Sequence, residues 1–152
     1  MAVAHPARVL VVTDRTAATP ALLSAIRLRA RRGPVEFRVL VPNPAPAEWH
    51  PLHPERRDKV ADAERVLMHA LPQIQEAADG AVRGRVSIRH DPMAAIEEML
   101  LDEPFDEIVL SLAPHTHRWL HPDLARRVVR LGLPVTVVRD DRPPLSRAPV
   151  VT

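Results

Sequence analysis

His115, His117, Arg118, Trp119 and His121 fall within seven consecutive positions. Imidazoles and a guanidinium held side by side can grip an oxyanion through charge-assisted hydrogen bonds. Such a site would bind more strongly below about pH 6.5, where an unperturbed histidine gains its charge. The plainer reading, which we prefer, is a solvated surface loop with Trp119 packed inward and the histidines in water. A metal reading fares worse. His117 and His121 are four apart, a spacing that shares a metal only on one helix, and Pro122 marks a helix that begins after His121. Asp123 is the one carboxylate beside these histidines, and His50 and His53 stand alone near Trp49. No metal site is expected.

Catalytic arrangements are equally sparse. Ser111 ends a predicted strand and is the one serine well placed for a ligand, since Ser24 and Ser87 fall inside predicted elements. A Ser111–His115–Asp14 triad can be drawn, but nothing supplies an oxyanion loop, and it reads as coincidence. Four glycines in the whole chain exclude a nucleophile elbow, a Walker loop and a dinucleotide fingerprint. The absence of cysteine excludes thiolate metal sites, disulfides and cysteine nucleophiles. The chain is therefore expected not to be an enzyme. Asp14 keeps two readings of equal standing, a ligand contact or a cap on the turn that follows it.

The elements that must position these residues alternate strand and helix. Strands are predicted at Arg8–Thr13, Val35–Val41, Arg83–Arg89, Asp106–Leu112 and Val135–Val138. The first is a continuous β-branched run suited to burial on both faces. The third alternates weakly, as an edge would. Four helices intervene, each opening on X-Pro: Thr19-Pro20, His53-Pro54, Asp91-Pro92 and His121-Pro122. Thr19 and Asp91 are good caps. Pro72 should bend the second helix. Five strands and four helices in alternation predict an α/β domain, a doubly wound parallel sheet with helices on both faces. Ligands of such sheets bind at the carboxyl ends of the strands, where the winding reverses. If the first strand is central, the Asp14 loop and the Ala113–His121 loop meet there.

Composition bounds the rest. A chain of 152 residues, 46% apolar and 26% charged, is one soluble domain, read as 1–139 with a mobile proline-containing tail at 140–152. It lacks a membrane span or secretory leader in its sequence, so a cytoplasmic location is expected. The pI near 10.3 invites a nucleic-acid reading that the charges refuse. Lys plus Arg number 21 against 19 Asp plus Glu. With Lys59 the single lysine and no Tyr or Cys, almost nothing titrates between histidine and arginine, so the pI reports missing buffers. Aromatic residues at 3% are too few to stack single-stranded nucleic acid. The arginine run Arg27, Arg29, Arg31, Arg32 sits at a helix C-terminus, where cations are favourable. No nucleic-acid or membrane partner is expected.

With VVTD ending the first strand, FDEIVLS forming the fourth and ARRVVRLGLPVTVVR closing the domain, the chain resembles the universal stress protein family from about Arg8 to Arg139. It looks most like the small, divergent stand-alone members of Arg-rich, high-GC bacteria. The resemblance implies a five-stranded sheet in the order 3-2-1-4-5, of the kind also called adenine nucleotide alpha hydrolase-like. It further implies stress-linked regulation and homodimers made through the fifth strand, which puts Val135, Val137 and Val138 at a dimer contact. In one branch it implies an ATP site built from an Asp after the first strand, a backbone contact after the second and a Gly-x2-Gly-x9-Gly-Ser/Thr loop. Asp14 matches the first and Val41 the second. The loop departs from the pattern: SLAPHTHRWLHPDLARR has no glycine and places His121 and Pro122 where Gly-Ser would stand. Glycines let backbone N–H groups close around phosphate, so ATP in that mode is disfavoured and no cofactor is expected. The leading expectation is a non-enzymatic stress-response or regulatory module. The alternatives are a module binding nucleotide or another phosphate ligand through Asp14, Val41, Ser111, His115, His117, Arg118 and His121, and a weak nucleotide hydrolase.

Overall fold

The four-residue run Val9–Val12 is wholly excluded from solvent, which only the centre of a sheet covered on both faces can achieve. A computed structural model describes residues 5–13, 18–42, 55–89, 91–112 and 122–139. Nine elements alternate along them: β1 (Ala7–Val12), α1 (Pro20–Arg31), β2 (Val35–Val41), α2 (Glu55–Ala78), β3 (Arg83–Val86), α3 (Pro92–Asp102), β4 (Glu107–Leu112), α4 (Pro122–Val129) and β5 (Val135–Arg139). The strands form one all-parallel sheet in the order β3-β2-β1-β4-β5. The predicted tail, 140–152, lies outside the described residues.

Side chains alternate across the sheet and build two cores. Val9, Val11, Phe37, Val39, Val41 and Val109 face Leu22 and Ile26 of α1 and Leu67, Ala70 and Ile74 of α2. Leu10, Val12, Leu40, Ile108 and Leu110 face Met93, Ile96 and Met99 of α3 and Leu124 and Val128 of α4. Each large aliphatic side chain so buried contributes about 1.5–3 kcal/mol. On the first face α2 lies close to β3: a Cβ on Gly84 would come within 2.8 Å of Leu67 Cδ2.

Local chemistry sets the boundaries. Thr19 Oγ1 accepts from the Leu22 N–H and Asp91 Oδ1 from the Met93 N–H, so both expected caps are in place. Gly132, with φ of 86°, turns the chain after α4. Helix α2 continues past Pro72, which sits on its exposed side, where water can serve the Met68 carbonyl that proline's missing N–H leaves free. The third strand stops at Val86 rather than Arg89; beyond it the Ser87 N–H still donates to the Val41 carbonyl, while the Arg89 N–H donates to the Ser87 hydroxyl.

Arginines fasten the periphery. Arg29 in the last turns of α1 grips Glu107 at the start of β4 through Nε and Nη2, at 2.9 and 3.0 Å. The hydrogen bond and the charge of Glu107 raise the Arg29 pKa above its ordinary value, against the opposing effect of burial. On the β3 edge, Arg85 meets Asp102 at 3.2 Å and Glu98 at 3.8 Å, and Arg89 meets Glu98 at 2.8 Å.

Candidate functional site at the carboxyl edge

The chain leaves β2 for β3 on one side of β1 and then crosses to β4 on the other. The winding therefore reverses between the carboxyl ends of β1 and β4, the switch point at which ligands of such sheets bind. Four hydroxyl-bearing side chains gather at that edge, all buried: Thr13, Thr19, Ser87 and Ser111. Thr13 follows β1 directly. Its N–H donates to the Leu40 carbonyl at 3.1 Å, its side chain is fully buried, and its Oγ1 has no hydrogen-bond partner among the described residues. A buried hydroxyl without a partner costs about 1–3 kcal/mol, so this atom marks a place where an acceptor or donor belongs.

Ser111 lies one residue beyond the Val12–Leu110 pair of β4 and beside Val138 of β5, and it is 4% exposed. The expected serine is thus at the switch point but covered. Val41 ends β2, also buried, and its carbonyl accepts from the Ser87 N–H at 2.8 Å. The backbone contact that the resemblance assigns to Val41 already has one partner within the fold, leaving the second lone pair of that carbonyl. Asp14, His115, His117, Arg118 and His121 lie outside the described residues. So do His50 and His53. The described flanks hold their connections at fixed points: Thr13 and Thr19 on either side of the Asp14 segment, Leu112 and Pro122 on either side of the histidine segment. Helix α4 is described from Pro122, the proline at which it was expected to open. No group of three or more metal-capable side chains occurs among the described residues.

Two residues of this edge escaped the sequence reading. Ser87 was assigned to the interior of a strand, whereas it stands just past the strand's end beside Val41. Thr13 was counted as the last strand residue and given no role. The TD step after a β-branched run was the available signal for Thr13. Nothing local distinguishes Ser87.

At the far edge of the sheet, β5 pairs with β4 alone among the described residues. Val135 and Val138 are half-buried against the two cores, while Thr136 and Arg139 are exposed and Val137 is 36% exposed. No helix among the described residues is long and apolar enough to cross a membrane.

No protein-family model matches this chain, and no curated protein matches it in sequence. Solved structures do match it in fold. The universal stress protein UspA from Lactobacillus plantarum superposes with a TM-score of 0.68 at 23% identity, over 90% of this chain and 99% of that one. The universal stress protein from Archaeoglobus fulgidus in complex with dAMP gives 0.59 at 16% identity, over 88% and 98%. A universal stress protein family member from Arabidopsis thaliana with AMP bound gives 0.51 at 17%, over 88% and 92%. At these identities the likeness establishes the fold, and it covers nearly the whole domain.

Proposed function

We propose that this chain, whose fold is that of the universal stress proteins, is a non-enzymatic stress-response or regulatory module that does not hold ATP through a glycine loop. One observation carries the reading. The four glycines are Gly33, Gly80, Gly84 and Gly132, so the connection from β4 to α4 contains none. Without glycine, successive N–H groups cannot easily adopt the positive φ that closes a nest around phosphate. Proline at the start of α4 removes a further donor from the helix N-terminus. The reading includes no cofactor, a cytoplasmic location and a homodimer formed through β5, whose outer edge presents Thr136 and Val137.

A second reading draws on a separate observation, the Thr13 hydroxyl at the switch point, buried and without a partner among the described residues, together with solved structures of this fold that contain dAMP or AMP. In it, a nucleotide or other phosphate ligand binds between the Asp14 and His115–His121 segments, beside Val41 and Ser111. Arg118 and charged imidazoles then replace the missing backbone donors.

The two readings separate when untagged protein is purified gently and denatured, and the released small molecules are identified by mass spectrometry. We expect no stoichiometric nucleotide and no thermal shift with millimolar ATP and Mg²⁺. A different phosphorylated compound, lost on Asp14→Ala or Arg118→Ala substitution, would establish the second reading. A stoichiometric adenine nucleotide would overturn the first. Product release in the presence of Mg²⁺, abolished by Ser111→Ala or His115→Ala, would overturn the non-enzymatic assignment.

A further inference from the structure

A cavity of about 320 Å³ opens at the amino end of the sheet, the opposite end from the switch point above. Arg8, Glu36, Arg38, Arg83, Glu103 and Phe105 supply its chemistry. The parallel register explains why three arginines meet there. Arg38 of β2 stands beside Arg83 of β3, and Arg8 of β1 beside Glu36 of β2. Leu10 and Leu40 face α3 and α4, so alternation puts Arg8 and Arg38 on that same side.

The charges are unevenly matched. Glu103 spends both oxygens, accepting from Arg8 Nη2 at 2.9 Å and approaching Arg38 Nη2 at 3.1 Å. Arg8 also faces Glu36 at 3.9 Å and lies over the Phe105 ring, 5.5 Å from its centroid. Arg38 Nε is buried and has no acceptor among the described residues. Arg83 has no carboxylate within ion-pair distance among them. Three guanidiniums therefore face two carboxylates, with one buried donor unmet and one cation unanswered beside it.

We propose that this amino-edge cavity binds a small oxyanion, a phosphate or a carboxylate, through Arg38 and Arg83. Such a ligand gives Arg83 its counter-charge and shares the exposed part of the Arg38 guanidinium with Glu103. A water molecule can accept a hydrogen bond there but leaves the charge unanswered. Arg8, fixed by Glu103 and Phe105, forms the wall. Glu36, on the rim and exposed, opposes the anion and limits its affinity. The site is independent of whatever binds at the carboxyl edge.

The test is an amide NMR titration of the full chain with inorganic phosphate and, separately, with succinate, each against sodium chloride at matched ionic strength and pH. We expect saturable shifts centred on Arg38, Arg83 and Glu103 with at least one oxyanion, and the one that saturates at lower concentration identifies the class. Arg83→Gln, at an exposed strand position, should weaken binding about three- to tenfold. Glu36→Gln should strengthen it, and retention of the folded spectrum in both variants excludes unfolding as the cause. Shifts that track chloride, that centre on Thr13 and Ser111, or that leave both variants with wild-type affinity would overturn the proposal.

Discussion

The guanidinium of Arg29 faces the carboxylate of Glu107 with two near-parallel hydrogen bonds, joining the end of α1 to the start of β4 across 78 residues of chain. Both groups are mostly covered by the fold, Arg29 more than Glu107. Removing either charge strands the other. We expect Glu107→Gln to cost about 1–2 kcal/mol in urea unfolding, below the value for a fully buried pair because water still reaches the edge. Arg29→Lys should recover part of the Coulombic attraction and lose the fork. Because the Arg29 pKa is raised, its stabilising charge is complete throughout the neutral and alkaline range. It is lost only above the ordinary arginine range, so stability between mildly acidic and alkaline pH should not vary on its account.

Thr13→Val exchanges a buried hydroxyl that has no partner among the described residues for a methyl of nearly the same shape. On the reading that nothing natural fills that place, stability in urea should stay level or rise by up to about 1 kcal/mol. A clear loss would show that the hydroxyl has a partner beyond the described residues. Any ligand response at the carboxyl edge should weaken in the same variant.

Gly84→Ala should destabilise the fold by about 1–3 kcal/mol, the usual cost of forcing an extra carbon into a filled space. The source is the contact with Leu67, so the penalty should shrink in a Leu67→Val background. Thermal melts of the four proteins in that cycle check the coupling.

Val137→Asp places a charge on the open flank of β5. If two copies join there, wild-type protein should sediment as a dimer and the variant as a monomer, with unchanged far-ultraviolet circular dichroism. Wild-type protein sedimenting as a monomer would sink the dimer reading.

How far the sequence was legible depended on whether a property was local. The RVLVVT run, the Thr19-Pro20 and Asp91-Pro92 starts and the glycine-marked ends are local signals, and the elements stand where those signals put them. The end of β3 was misplaced because it depends on which acceptor the Arg89 N–H takes, and that acceptor is the Ser87 hydroxyl. Pro72 fits within α2 because its carbonyl partner faces water, a matter of orientation rather than spacing. At the carboxyl edge, Ser111 was legible as a strand end. The burial of the Thr13 hydroxyl without a partner among the described residues was not, since it depends on what packs around the end of β1. The same holds for Arg38, whose company at the amino edge comes from the register of three strands.

The two flanks of the sheet are finished differently. The β3 side carries arginines tied down to α3 by Asp102 and Glu98, and among the described residues nothing pairs with the outer side of β5, where Val137 is uncovered. A molecule with one such flank blunted can add a neighbour on one side only. If two copies join through β5, as proposed, strand addition would stop at a symmetric pair instead of running on into a fibre, with four charged side chains closing the other flank.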